Sequence, residues 1–216
     1  MSTIVTDAVT ALSGNLALLP EGSGVVTIDG LTYPAADGSA NQIIKTNGSG
    51  VLSFTDAGGG FTQADSQATT SGTLKTFGSI PSGVKMIVVS YFDISMSGGE
   101  VGDAIQLTLG DAGGLETSGY VSMRAQLRSS ANIIFDDTAN FELSDHLEHG
   151  SKYRGSAILT LQDVAAYRWI CQWQTMDTDN AATVNVGAGS KALSAELTQV
   201  GFGTTNGFDL GSVSIM

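Results

Sequence analysis

The chain has 216 residues, 42% of them hydrophobic, with 28 Gly, 3 Pro and a formal net charge of −12. That length and apolar content suit one good-sized domain with extra material and exclude a wholly disordered polymer. Only nine Lys and Arg are present and they form no basic stripe, so neither a nucleic-acid partner nor an anionic membrane surface is expected.

The acidity reads as solubility charge on a β-rich surface. Abundant Gly with scarce Pro suits short strands joined by tight turns, because Gly takes positive φ at little steric cost. The single cysteine, Cys171, allows no internal disulfide and no multi-cysteine zinc site. The opening MSTIVTDAVTALSGN lacks a basic segment followed by an apolar core, so no signal peptide is expected. No run of about 18 apolar residues predicts a membrane-spanning helix. Folding in a reducing cytosol is the expectation.

Residues 1–60 hold ten Gly and one basic residue, Lys45. Their apolar segments, NLALLP, GVVTIDGLTYP, NQIIKT and GVLSFTD, are short and bounded by Gly, Asn, Ser or Pro, the pattern of strands and turns. One motif occurs twice. Gly22-Ser23-Gly24-Val25 matches Gly48-Ser49-Gly50-Val51, and each is followed by four strand-type residues. Strands this short cannot bury a core alone, so the arm is expected to lean on a neighbour or on copies of itself. The residues expected to make that contact are Leu16, Leu18, Val25, Val26, Ile28, Leu31, Tyr33, Ile43, Ile44, Val51, Leu52 and Phe54. The stretch 61–73 predicts a linker.

From residue 74 the segments lengthen, and a β-sandwich, jelly-roll-like, is predicted over 74–216. VKMIVVSYFDIS (Val84 to Ser95) reads as a dense strand buried on both faces at its start. In YRWICQWQTM, Tyr167, Trp169, Cys171 and Trp173 share one parity, which predicts a half-buried strand with an aromatic inner face. About ten strands at this spacing fit an all-β sandwich or barrel. LSDHLEHGSK is the best helical candidate, at one or two turns.

Residues Gly14 to Asp56, GNLALLPEGSGVVTIDGLTYPAADGSANQIIKTNGSGVLSFTD, resemble bacteriophage tail-fibre and related virion structural proteins. They share an NL-x-L-x-P segment, a G-[ST]-G-x-V strand, a YP junction, a DG turn and an NQ-x-[IVL]-x-TNG-x-G-x-L-x-[FW] ending, in that order. LGDAGGLETSGY (Leu109 to Tyr120) and GFDLGSVSIM (Gly207 to Met216) resemble parts of β-sandwich domains that end some phage fibres. The resemblance implies a virion component made in the bacterial host cytoplasm, commonly a homotrimer, with an attachment arm and an exposed β knob. The length suits a short fibre, a head fibre or a capsid decoration (cement) protein better than a long tail fibre. Such a protein is not an enzyme, carries no cofactor, and has capsid or tail proteins as partners. The alternative is a tail-fibre receptor-binding protein that recognises host glycan.

Chemistry-bearing clusters are few. Asp145, His146, Glu148 and His149 lie within five residues, but the i, i+3 histidine pair is not an HExxH zinc motif, so a polar turn is the better reading and no metal is assigned. Asp177, Asp179 and Asn180 start like a calcium loop without its Gly and final Glu, which favours a strand-to-strand turn. Asp136, Asp137 and Glu142 are the carboxylates that glycoside hydrolysis would need, without an aromatic platform beside them. The chain has no GxSxG elbow and no Gly-Lys-[Ser/Thr], and Cys171 reads as a core residue. Among Tyr33, Tyr91, Tyr120, Tyr153, Tyr167, Trp169 and Trp173, most are expected to fill the core.

Overall fold

The computed structural model describes residues 26–57, 62–98, 103–128, 132–145, 151–179 and 183–216. The protein is all-β, and it divides into two compact units, Met1–Gly60 and Phe61–Met216.

In the first unit, β1 (Thr27–Ile28) pairs with β2 (Leu31–Thr32), and β3 (Gln42–Thr46) pairs with β4 (Leu52–Asp56), both antiparallel. Asp29 and Gly30 turn the first hairpin with φ of 50° and 78°, the two positive angles that match strand twist. The second turn is built on Asn47, whose Oδ1 accepts from Ser49 N at 2.8 Å and Val51 N at 3.1 Å. Thr32 forms a parallel bridge with Val51 and donates its N–H to Gly50 O at 2.7 Å. The hairpins are thereby tied side by side. A Cβ on Gly50, where φ is 81°, would stand 2.9 Å from Gly30 O, so the approach requires glycine.

The second unit contains β5 (Gln67–Ala68), β6 (Leu74–Phe77), β7 (Met86–Met96), β8 (Ala104–Asp111), β9 (Gly114–Leu115), β10 (Tyr120–Arg128), β11 (Asn132–Asp137), β12 (Phe141–Asp145), β13 (Tyr153–Asp163), β14 (Arg168–Asp177), β15 (Thr183–Ala192), β16 (Gln199–Thr204) and β17 (Phe208–Ile215). They form a β-sandwich. One sheet has eight strands in the order β11-β10-β15-β14-β13-β7-β17-β5, and the other has five, β12-β8-β16-β6 with β9 on β8. All the ladders are antiparallel.

The apolar core lies between the sheets. Val89, Tyr91, Leu159, Trp169, Cys171 and Trp173 of the large sheet are buried with Ile105, Leu107, Leu109, Phe141, Val200 and Phe202 of the small one. Rings bridge the layers: Tyr91 to Phe202 at 5.1 Å between centroids, and Phe141 to Trp173 at 6.1 Å. The parity of β14 is as its sequence predicts for Trp169, Cys171 and Trp173. Tyr167 instead sits in the preceding turn with a positive φ of 45°.

Three local expectations are corrected. The stretch read as a linker belongs to the second unit: β5 pairs with β17, Ala64 N donates to Ile215 O at 2.9 Å, and Thr69 is buried. The start of β7 is buried on one face only, since Met86 and Ser90 are exposed while Ile87 and Val89 are buried. Its far end carries the continuous buried run Ile94-Ser95-Met96, beyond a register shift where Asp93 takes positive φ. In the helical candidate, Leu143 to Asp145 are strand β12, and 146–150 lie outside the described residues.

The inner positions of β15 include Gly187 and Gly189. A Cβ on Gly187 would overlap the Trp173 indole, and one on Gly189 would come 2.9 Å from the Phe141 ring. The Trp173 and Phe141 rings therefore rest directly on β15 backbone. Gly187→Ala should lower the unfolding free energy by about 1–3 kcal/mol, as overpacking does. Urea denaturation followed by tryptophan fluorescence checks this, and an unchanged midpoint contradicts the packing described.

Candidate functional site

The arm residues singled out in the sequence divide by location. Leu16, Leu18 and Val25 lie outside the described residues. Of the rest, Val26, Tyr33, Leu52 and Phe54 are half-buried, and Ile28, Leu31, Ile43, Ile44 and Val51 are exposed. None of the described residues 26–57 is buried. Register puts Ile28 opposite Leu31, and Ile44 opposite Phe54. The Phe54 ring lies over Gly38, where a Cβ would stand 2.7 Å away. Ile44 stays 52% exposed and Ile43, on the opposite face of the same hairpin, 51%. Both faces of β3–β4 thus carry exposed apolar side chains, and the described residues of this unit form no second layer over them.

In the second unit the sandwich holds a polar tract between its sheets. Arg124 is buried on the inner face of β10. Its Nη1 donates to Asn185 Oδ1 at 2.7 Å, its Nη2 pairs with Glu142 Oε1 at 2.8 Å, and its guanidinium stacks 4.2 Å from the Phe135 ring centroid. Asn185 Nδ2 donates to Ser144 Oγ at 3.1 Å. A planar five-donor group suits such a multi-acceptor position. Beside it, Gln126 is buried, with no partner for its Oε1 among the described residues. The signal in sequence was the run Ser122, Arg124, Gln126 at period 2 on one strand, opposite Asn185 on its neighbour.

The carboxylates read as a possible hydrolytic pair do not converge. Glu142 is engaged with Arg124. Asp137 Oδ1 caps a turn through Ala139 N and Asn140 N, and Asp136 is an exposed residue of edge strand β11. Asp177 is buried, with Oδ1 accepting from Asp179 N at 3.0 Å, as a turn requires. His146, Glu148, His149 and Asn180 lie outside the described residues. Among the described residues no group of three or more His, Cys, Asp or Glu could hold a metal ion, and no helix is long and apolar enough to cross a membrane. Cys171 is fully buried, and desolvation pushes its thiol well above the ordinary range.

Of the aromatic residues, Tyr91, Tyr120, Tyr153, Trp169 and Trp173 are core. Burial pushes the Tyr120 hydroxyl up to about 12; it accepts from Leu109 N at 2.8 Å and donates to Glu116 O at 2.9 Å. Tyr167 is part-exposed and borders a small recess with Lys85, Leu161, Val164, Trp169 and Glu196.

Three carboxylates pin the crossover from β15 to β16 at that end. Asp111 accepts from Ser194 Oγ at 2.5 Å and Gly113 N at 2.7 Å, and these bonds hold its carboxyl below the usual range. Glu196 accepts from Gly83 N at 2.8 Å and Ser82 Oγ at 2.9 Å, with the same effect. Burial alone would raise Glu116, but Lys191 and the Ser194 N–H outweigh it and hold it low.

Comparison of the chain with protein-family models, with curated proteins and with solved structures finds no match.

The three carboxylates are easier to ionise in the folded protein than in the unfolded chain. Their contribution to stability is therefore present above the ordinary carboxylate range and is lost as pH falls through their lowered folded values. The thermal midpoint should drop on acidification below about pH 4. The double variant Asp111→Asn, Glu196→Gln should be less stable at pH 7 and show a shallower decline. Calorimetry across pH 3–7 checks this, and parallel curves contradict it.

Proposed function

We propose that this is a non-enzymatic virion structural protein, a short fibre or capsid decoration protein of a bacteriophage. The arm, residues 1–60, attaches to the particle and to sibling chains in a homotrimer, and the sandwich is the exposed knob. The observation that carries this reading is the arm's unburied apolar surface: Ile28, Leu31, Ile43, Ile44 and Val51 are all exposed in a unit with no buried residue among those described. Single exposed apolar residues are ordinary, but a cluster on a unit this small marks a contact surface. Capsid or tail proteins are the other partners on this reading, with no nucleic acid, membrane or cofactor involved. The dispersal of Asp136, Asp137 and Glu142 and the sealed Cys171 support the non-enzymatic part.

Deleting residues 1–60 should leave a soluble knob that no longer joins particles, measured by mass spectrometry of purified virions from cells supplying the truncated protein. Incorporation of the truncated knob at the full-length level would overturn the role given to the arm. Ile44→Lys in the full chain should weaken incorporation in the same assay.

The recess at Tyr167 supports one alternative, a receptor-binding knob for host glycan. A part-exposed ring beside a carboxylate and a lysine is the composition that stacks and hydrogen-bonds a sugar. On this alternative, a glycan array probed with the full chain gives binding that Tyr167→Ala abolishes. An array without signal removes it.

A further inference from the structure

The outer face of the eight-stranded sheet is more apolar than part of its inner face. On β10 the inward side chains are Tyr120, Ser122, Arg124 and Gln126, while Val121, Met123, Ala125 and Leu127 point outward. On β15 the inward positions are Thr183, Asn185, Gly187, Gly189 and Lys191, and the outward ones are Val184, Val186, Ala188 and Ser190. The polarity of both strands is thus inverted relative to a sheet with one face in water. Register continues the outward row without a break. Ile134 of β11 lies beside Ala125, which lies beside Val186, which lies beside Gln174 of β14 and then Ser156 of β13. Val121 is 70% exposed, Ile134 71% and Met123 59%, with Met176, Ile158 and Val186 also open.

No charged residue stands at the outward positions of β10 from 121 to 127, of β15 from 184 to 190, of β14 from 170 to 176, or of β13 from 156 to 160. Among the described residues, charge stands around the border, at Asp136, at Arg154 with its ion-pair partner Asp93, and at Arg168. An uncharged centre within a charged rim is the anatomy of a protein interface. The row of five strands, β11 to β13, covers about 20–25 Å by about 23 Å at ordinary strand spacing and rise. Its flat projection is on the order of 500 Å², and a corrugated face exposes more than its projection. This approaches the roughly 800 Å² per partner of a standard stable interface and matches the largest patches that monomers keep open.

We propose that this face is covered by the knob of a second copy of the same chain, sheet against sheet. The charge pattern selects that occupant. The chain carries 21 acidic residues against nine basic ones, so two copies repel wherever their ordinary surfaces meet. The uncharged centre of this face is where they meet without that repulsion. A basic partner protein would need carboxylates to bind, and the face supplies none at those outward positions. Two such faces stack at about 10 Å, with side chains interdigitating as they do between the layers of a sandwich. The inference concerns the knob, and it holds whether or not the arm also joins copies.

The test uses the full chain in solution. Sedimentation equilibrium from about 1 to 100 μM should give an assembly larger than the monomer. Met123→Lys combined with Val186→Lys should raise its dissociation constant by about 100-fold, because each lysine must be desolvated against an apolar partner. Met123→Leu, which keeps volume and polarity, should leave assembly intact. Far-ultraviolet circular dichroism must be unchanged in every variant, and a second charged pair, Val121→Lys with Ile134→Lys, repeats the test at more exposed sites. Hydrogen exchange separates this contact from one made by the arm: protection that rises with protein concentration should map to β10 and β15. A monomer at 100 μM overturns the proposal. So does concentration-dependent protection confined to residues 26–57, or protection of β10 and β15 that does not depend on concentration.

Discussion

The close seat of the Trp173 and Phe141 rings on the bare backbone of β15 governs the sandwich at its polar end. Two glycines, Gly187 and Gly189, let those rings fill the space between the layers. The rings in turn hold Tyr120 edge-on against Phe141 at 4.9 Å, and Tyr120 anchors the turn after β8 through Leu109 and Glu116. Side chains larger than hydrogen at 187 or 189 would have to push the sheets apart or turn the rings out. Close-packed interiors resist both, since a void and a clash each cost free energy on the scale of total stability.

Polar groups also sit between the sheets nearby. Of the other inner positions of β10 and β15, Arg124 and Asn185 reach Glu142 and Ser144 of β12, the edge strand of the small sheet. Arg124 spans that edge, bonded to Asn185 and Glu142 and stacked on Phe135. A buried guanidinium is costly unless it is paired and hydrogen-bonded, and removing Glu142 or Asn185 would leave that charge under-compensated. The same strands then carry their apolar side chains outward, so the polar tract inside and the apolar face outside are two sides of one strand pattern.

The sequence was a good guide where alternation and composition agreed. In β14 the aromatic and cysteine parity located the inner face, because Gln172 and Gln174 on the other parity left no second choice. It was a poor guide on β10 and β15. Period-2 alternation identifies two faces but does not say which one meets the core, and the ordinary assumption that apolar means inward reverses both strands. The stretch 61–73 looked like a linker because Gly, Ser and Thr dominate it, yet edge strands need few apolar residues when backbone pairing with β17 holds them. The start of β7 looked buried on both faces because Met, Ile and Val run together. Met86, at its start, lies in register with the exposed Thr160 of β13, on the outward side of the sheet. For the arm, strand and turn positions were legible from Gly, Asn and Asp placement. The tie between the hairpins through Thr32 and Gly50 was not, since a main-chain bridge leaves no side-chain signature.

Cys171 sits at the centre of β14 with no exposed surface, in a setting that keeps its sulfur protonated. A thiol in that form neither attacks electrophiles nor exchanges with disulfides at useful rates. Maleimides and spin-label reagents are therefore expected to leave the native protein unmodified. A cysteine placed on any surface position becomes the single addressable point on the molecule, with no need to remove the natural one and disturb the packing around it.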